Sequence, residues 1–208
     1  MNNIIPIFPL SLVVFPHSRY PLHIFEPRYK KLINLCLKEK TGFGIVTFAD
    51  KNFHDIGCYV EIEEVINVSA SEEMDIIVKG IRRFRMINHW ENEETGYSMA
   101  EVEKYDDLMY SYDPILFVEA RKIFKHLIKR INYKLDDFFW NNLSRTELKS
   151  FKLAEKSGFD LSQQLTLLEL RDEGERLNYI INHLQKLEKY LDEKTSLLKL
   201  VINDGYIN

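Results

Sequence analysis

The chain has 208 residues, of which 45% are hydrophobic and 29% are charged, the balance of a folded globular protein rather than a disordered one. Its formal net charge of −4 gives no general attraction to nucleic acids or anionic membranes. Two cysteines are too few for a disulfide framework, and two free thiols suit a reducing cytoplasm. Prolines break the apolar N-terminal run, and no lysine or arginine precedes it, so we expect neither a signal peptide nor a membrane span.

Five of the six prolines lie within the first 27 residues, and they divide this region into short extended pieces. Strands are predicted over Ile4–Phe8 and Pro21–Phe25, with a shorter extended piece over Leu12–Phe15. In the last of these strands, alternation places Leu22 and Ile24 on one face. Short strands with sharp corners are typical of the start of a small barrel.

A helix is predicted to begin at Pro27, because proline is favoured at the first helical position, and to end at Gly42. The apolar run Phe43–Ala49 then predicts a central, buried strand.

A long hairpin follows, with strands over Tyr59–Val68 and Met74–Ile87 and a bulge near Gly80, before a last strand over Tyr97–Tyr105. In the first hairpin strand, alternation predicts four inward side chains. They are Val60, Ile62, Ile66 and Val68.

The second half of the chain has a helical pattern. Asp113 and Pro114 start the first helix of this region, and the stretch 144–147 reads as a capping box for a short helix that closes at Gly158. Ser162 is predicted to cap another short helix.

The last predicted helix is long. Its apolar positions repeat at spacings of three and four from Leu177 to Val201, and Gly205 marks its end. We therefore predict a β-rich subdomain over residues 1–112 and a helical subdomain over residues 113–208.

Several ordered segments are far more specific than composition. They are Ile5–Leu10, Val14–Pro16, Pro21–Tyr29, Phe43–Val46 and Val78–Arg85, followed by Phe151–Ala154, Leu167–Glu169, Asp172, Arg176 and Leu177. Together they resemble the substrate-binding N-terminal domain of Lon-type ATP-dependent proteases, over roughly residues 4–190. One departure is His17, in a loop where that family commonly has glycine.

This resemblance implies an α+β fold: a PUA-like pseudo-β-barrel with one packing helix, followed by an α-helical bundle that ends in a long helix. It also implies a module that recognises unfolded or tagged proteins and helps hexamer assembly. In full-length Lon an ATPase and a Ser–Lys protease follow this module. The chain has no Gly-x-x-x-x-Gly-Lys-Ser/Thr phosphate loop, so we expect a stand-alone, non-catalytic protein-binding domain without a cofactor.

Four apolar residues near the predicted corners are candidates for partner binding: Leu12, Phe15, Pro21 and Leu22. An exposed apolar patch can grip many unfolded sequences because hydrophobic contact is non-directional. The alternative is that all four fill the barrel. The long C-terminal helix is a second candidate surface, for self-association.

A different function, RNA or nucleotide binding, would use Arg82, Arg83 and Arg85, since PUA-like folds include RNA binders. The competing interpretation pairs these arginines with carboxylates such as Glu61 and Glu63, and we favour it because this region is acidic.

The remaining chemistry-bearing residues predict no catalytic or metal site. None of the six histidines has a second histidine or a cysteine at ligand spacing, so no metal is expected. Glu26 and Arg28 are interpreted as a charge pair at the start of the helix. A small-molecule pocket in the barrel mouth has no supporting motif.

Overall fold

The computed structural model describes residues 4–108 and 112–203, with side chains through residue 194. The α+β class is confirmed, with a β-rich N-terminal region followed by helices, the last of them long. The strands are β1 Ile4–Leu10, β2 Arg19–Ile24, β3 Phe43–Ala49, β4 Asn52–Phe53, β5 Ile56–Val68, β6 Met74–Glu91 and β7 Ser98–Lys104. The helices are α1 Pro27–Glu39, α2 Pro114–Arg130, α3 Asp137–Arg145, α4 Lys149–Ala154, α5 Leu161–Glu169 and α6 Glu173–Asn203.

The described residues form two compact units that are interleaved along the chain. The first unit comprises residues 4–108 together with residues 158–171, and the second comprises residues 112–157 together with residues 172–203. Helix α5 therefore belongs to the β-rich unit, although it follows the predicted subdomain boundary. The division of the chain between residues 112 and 113 stays a prediction.

The sheet of the first unit closes on itself. Strand β1 pairs antiparallel with β7 and parallel with β3, and β7, β6, β5 and β3 follow in order. The ring β1–β7–β6–β5–β3 is therefore complete, as the predicted pseudo-barrel requires. Strand β2 lies off this ring and pairs with β6.

Helix α1 packs on the core of the first unit. It begins at Pro27 as predicted, and Tyr29 stacks on Phe8 with ring centroids 3.8 Å apart. It ends at Glu39, followed by the cap residue Lys40 with a left-handed φ of 52°, rather than at the predicted Gly42. The glycine instead allows close approach of two strands, because a Cβ there would lie 2.0 Å from the carbonyl oxygen of Val60.

The hairpin of β5 and β6 is present, and its ladder shifts register beside Gly80, which confirms the predicted bulge. Two further shifts lie within β5, between Ile62 and Glu64 and between Val65 and Asn67. These extra residues break the strict alternation that the sequence suggested.

The inward positions predicted for Ile66 and Val68 are consequently wrong, since each side chain is 57% exposed. The extended piece predicted over Leu12–Phe15 stays a prediction: residues 13–15 belong to no strand or helix of the described structure, and a turn follows them.

Helix α2 begins as predicted, with the Asp113 carboxylate accepting a bond from the backbone nitrogen of Ile115 at 2.9 Å. The capping box predicted at 144–147 is wrong, because the Ser144 hydroxyl donates to the Trp140 carbonyl inside α3, a helix that the pattern missed. Helix α5 is capped by Asp160 rather than by Ser162.

A buried polar cluster organises the second unit. Arg176 is fully buried and donates from Nη2 to the Glu173 carboxylate at 2.9 Å. The same carboxylate accepts bonds from the Ser150 backbone nitrogen at 2.8 Å and hydroxyl at 2.6 Å. Because every polar group in the cluster has a partner, it can be buried without a large penalty.

Among the described residues, no helix combines the length and apolarity needed to cross a bilayer. The predicted apolar positions of α6 beyond residue 194 and the predicted helix end at Gly205 lie outside the described side chains and residues.

Candidate polypeptide-binding surface

The first unit carries a three-stranded antiparallel sheet that we call the β arm: residues 19–24 of β2, 61–68 of β5 and 74–79 of β6. The central strand is β6, which pairs with β2 on one side and with β5 on the other. Strand β3 reaches along β5 only as far as Val60. Within the described chain, residues 61–68 therefore have a strand neighbour on one side only.

The two faces of the β arm differ in character. Its inner face belongs to the core, where Met74, Ile76 and Val78 are buried. On its outer face, Pro21, Ile77 and Glu64 lie in one cross-strand row. The next row is polar and consists of His23, Asp75 and Asn67.

Charged pairs hold the outer face together across strands. The Arg19 guanidinium pairs with Glu63 and lies 3.9 Å from Glu64. His23 donates to the Asp75 carboxylate at 2.8 Å, and this hydrogen bond lowers the pKa of Asp75 below its usual value. These pairs are exposed, so they orient side chains more than they stabilise the fold.

Apolar side chains are exposed at both sides of the β arm. Val65, Ile66 and Val68 are all exposed in β5 at one side, and Phe25 is exposed just beyond the end of β2 at the other. The Phe25 ring stacks on His23 with centroids 5.9 Å apart. Exposed apolar residues grouped in this way are characteristic of interaction surfaces.

The four residues predicted for partner binding are distributed between core and surface. Phe15 is 1% exposed and Leu22 is 9% exposed, so both side chains contribute to the core. Leu12 is half-buried against the same core, and Pro21 is exposed on the outer face of the β arm. Partner contact through this set stays a prediction, and only Pro21 and Leu12 offer surface for it.

Phe15 is buried because its turn is fastened to the bulge of β6. The backbone nitrogen of His17 donates to the Gly80 carbonyl at 2.8 Å, and the Gly80 nitrogen donates to the Ser18 carbonyl at 2.9 Å. A Cβ at Gly80 would lie 2.2 Å from the Phe15 carbonyl oxygen, so this approach requires glycine. His17 has a φ of 64°, a left-handed conformation that glycine adopts without strain.

The protein-family model of the ATP-dependent protease La (LON) substrate-binding domain matches residues 4–186 of this chain. The chain belongs to this Lon substrate-binding domain family. A Lon protease from Syntrophus aciditrophicus (strain SB) is 24% identical over 203 residues, covering 88% of this chain and 25% of that protein. The chain thus spans about a quarter of the length of this relative.

Two solved structures share the fold. The Lon N-terminal domain protein from Xanthomonas campestris is 25% identical, with a TM-score of 0.67 over 86% of this chain and 97% of that one. The N-terminal domain of the Mycobacterium avium complex Lon protease is 16% identical, with a TM-score of 0.65 over 88% and 98%. The likeness covers almost the whole of both domains.

Within this Lon-type fold, Arg83 is a structural residue of the first unit. It is 5% exposed, and its Nη1 donates to the carbonyls of Leu168 at 2.6 Å and Leu170 at 2.7 Å. Its Nη2 pairs with the Asp107 carboxylate. Arg83 thereby joins β6 to α5 and to the segment after β7.

The other two arginines of the predicted phosphate site are exposed. Arg85 lies 3.6 Å from the Glu103 carboxylate, and Arg82 stacks over the Tyr59 ring at 4.3 Å. Ion pairing is therefore the arrangement found at Arg83 and Arg85, although the carboxylates differ from the predicted Glu61 and Glu63. Phosphate binding stays a prediction, and burial leaves Arg83 unsuited to it.

Two clefts of the first unit have the size of small-molecule pockets. One, of about 490 Å³, lies beside β4, where the rings of Phe53 and His89 meet edge to face at 4.4 Å. The other, of about 430 Å³, lies at the start of α1. There Glu26 accepts from Arg28 Nη2 at 2.8 Å, which confirms the predicted charge pair.

In the part of the chain that the structure describes, no three histidine, cysteine or carboxylate side chains are grouped to hold a metal ion.

Proposed function

We propose that this chain is a non-catalytic protein-interaction module that binds exposed segments of unfolded polypeptides, or a partner protein, through the β arm. The observation that carries the proposal is the family itself, since the matched model is that of a substrate-binding domain. The β arm supports the proposal because it presents apolar side chains to solvent beside a strand edge.

The chemistry of the β arm suits a loosely specified partner. Ile66, Val68 and Phe25 each leave more than half of the side chain in solvent. Covering such a side chain contributes about 1 kcal/mol when roughly half of its surface is removed from water. Several weak, non-directional contacts of this kind tolerate many partner sequences. Pro21, exposed on the outer face of β2, and the half-buried Leu12 offer further apolar surface elsewhere in the first unit, whereas Phe15 and Leu22 belong to its core.

Binding to a reduced, carboxymethylated model protein, measured against the native form of the same protein, tests the proposal. We expect Ile66→Ser to weaken binding about fivefold or more, because it removes an exposed apolar contact. Ile87→Ser is the matched control: Ile87 is 55% exposed in the same unit but lies outside the β arm, and its loss leaves binding unchanged. Equal affinity for native and denatured protein, or equal loss in both variants, would refute the proposal.

Self-association through α6 is a second part of the proposal. Leu187 and Leu191 are half-buried along this helix, and Asp192 accepts a bond from Arg130 of α2 at 2.8 Å. Sedimentation velocity over a range of concentrations measures association, which Leu191→Asp should abolish and Glu193→Gln should leave unchanged. If the chain is monomeric at all concentrations, self-association through α6 is refuted, and the proposal of polypeptide binding is unaffected.

A further inference from the structure

We propose that the outer edge of β5, residues 61–68, binds an extended basic and apolar segment of polypeptide as an added β-strand. The inference rests on the proposed function and specifies how the polypeptide is held. Side-chain contacts alone would leave its backbone free, whereas strand addition binds the backbone by ladder hydrogen bonds.

The backbone of β5 offers such bonds at defined positions. At the hairpin end, the Ser69 nitrogen donates to the Glu73 carbonyl at 2.8 Å, so Ser69 directs its N–H toward the strand that leads into β6. In an antiparallel ladder, bonded and non-bonded pairs alternate, and the groups of a non-bonded pair point away from the partner strand. The next residue, Val68, therefore directs its N–H and carbonyl away from β6.

The same alternation, followed from pair to pair along the ladder, places the backbone N–H and carbonyl groups of Val65 and Ile62 on the side away from β6 as well. Two observations at the far end agree with this assignment. Val60, the next outward position, pairs with Phe43 of β3 on that outer side. Gly80, the residue opposite Val60, uses its own outward groups for bonds with the turn before β2.

The bulges preserve the spacing that a regular strand needs. The outward residues Ile62, Val65 and Val68 are three apart in sequence, but they oppose Val78, Ile76 and Met74 of β6, which are two apart. The bulge residues absorb the difference. A regular extended segment of about five residues can therefore match all three positions, over about 14 Å.

This edge carries charges and bulges, but it lacks two other common protections against pairing. Residues 61–68 contain no proline and no lysine, the residues that commonly block exposed edges. Strand β2, at the opposite side of the β arm, contains Pro21, which has no N–H to donate. The described structure therefore favours β5 as the edge that accepts a strand.

Charge selects the occupant. The stretch 61–75 contains six carboxylates and no lysine or arginine, the six being Glu61, Glu63, Glu64, Glu72, Glu73 and Asp75. The carboxylates outnumber the two cations set against them on the neighbouring strands, Arg19 beside Glu63 and Lys79 opposite Glu61. A second copy of this chain paired edge to edge would place like charges opposite one another. A segment with lysine or arginine between apolar residues is complementary both to this charge and to Val65, Ile66 and Val68.

The test uses a labelled seven-residue peptide in which valine and lysine alternate, with binding followed by fluorescence anisotropy. A peptide with glutamate in place of lysine, and one N-methylated at alternate residues, serve as controls. We expect N-methylation to weaken binding about tenfold or more, since it removes backbone donors while keeping the side chains. The glutamate peptide should bind more weakly than the lysine peptide, with the difference shrinking as salt is raised.

On the protein, Val65→Pro removes one outward N–H that the ladder with β6 does not use. We expect about fivefold weaker peptide binding than with Val65→Thr, which keeps that N–H. Amide hydrogen exchange at residues 65 and 68 should slow when the peptide binds. Equal binding by the two variants, or by the parent and N-methylated peptides, overturns the inference. Should Val65→Pro not fold, the N-methylated peptide on the unaltered chain decides.

The outcomes separate this inference from the proposed function. If denatured protein binds and Ile66→Ser weakens it, but backbone N-methylation has no effect, the function stands and strand addition is wrong. If the peptide binds as expected but denatured protein does not, strand addition stands and the wider function is wrong. Concentration-dependent self-association that Val65→Pro removes would identify a second copy as the occupant and overturn the proposal for a basic segment.

Discussion

Replacing Arg83 by alanine should destabilise the first unit far more than any other arginine substitution in β6. The guanidinium donates to the carbonyls of Leu168 and Leu170 and pairs with Asp107, whose side chain is only 2% exposed. Removing one partner of a buried ion pair costs about 3–5 kcal/mol, because the other charge keeps its desolvation penalty. The two carbonyls also lose a charged donor, so we expect a loss of at least about 4 kcal/mol.

Urea unfolding in a Trp140→Phe background isolates this effect, because the remaining tryptophan, Trp90, lies in the first unit. With a slope of about 2 kcal/mol per molar urea, the midpoint should fall by about 2 M. Arg82→Ala is the matched control. It removes only a stacking contact with Tyr59 and should cost about 0.5–1 kcal/mol.

A loss for Arg83→Ala within about 1 kcal/mol of the loss for Arg82→Ala would refute the argument, since both would then behave as surface residues. Arg83→Lys should recover little of the stability, because an ammonium group cannot reproduce the forked geometry that reaches two carbonyls and a carboxylate. Any test of nucleic-acid binding should accordingly alter Arg82 and Arg85 and leave Arg83 in place.

Three further predictions concern single residues. Arg176→Ala should lower the unfolding free energy of the second unit by about 3–5 kcal/mol, because Glu173 then stays buried without its guanidinium partner. Trp140 fluorescence measures the unfolding of this unit. The exposed control Lys186→Ala should change the unfolding free energy by less than about 0.5 kcal/mol. His17→Gly should raise the free energy of unfolding by up to about 1 kcal/mol, seen as a higher thermal midpoint, because glycine relieves the left-handed φ. Lys38→Gly inside α1 should lower the free energy of unfolding by about the same amount. A lower thermal midpoint for both variants would contradict the reasoning. Burial raises the pKa of the Cys58 thiol from 9.0 to about 12, so the native thiol stays neutral at pH 9 and iodoacetamide should alkylate it much more slowly than in urea. Because the pKa is raised in the folded state, the stabilising contribution of Cys58 is complete below pH 9 and is lost between pH 9 and about 12; native and unfolded rates that agree would contradict the burial argument.

The sequence predicted most of the first unit because its signals are local. Pro27 sets the start of α1 through its fixed φ, and the apolar run Phe43–Ala49 forms the central strand β3. Burial in the first part of β6 follows strict alternation because that strand carries no bulge between Met74 and Gly80.

The differences between the sequence expectations and the structure arise where residues far apart in the chain contact one another. Ile66 and Val68 are exposed because two bulges interrupt β5 and because β3 pairs with β5 no further than Val60. Neither feature can be recognised from a local sequence pattern. Phe15 is buried because its turn fastens to Gly80, 65 positions later along the chain. The capping signal at Ser144 failed because its hydroxyl bonds back to Trp140, an alternative that a sequence pattern cannot distinguish.

The candidate surface was located only in part. Pro21 lies on the β arm, but the edge of β5 carries no motif, since its significance depends on which strands fail to continue beside it. Backbone groups that point outward have no signature in side-chain composition. The segments that resemble Lon proteins indicated the family, and the pairing registers were needed to find the edge.

The return of residues 158–171 to the β-rich unit affects how this protein is synthesised. The acceptors of Arg83 at Leu168 and Leu170 leave the ribosome roughly 60 residues after the last strand, a delay of about 3–12 s at ordinary translation rates. During that time the nascent barrel holds a guanidinium with neither of its carbonyl acceptors. A fragment cut at residue 112 would retain this defect permanently, so the shortest chain that completes the first unit extends through Arg171.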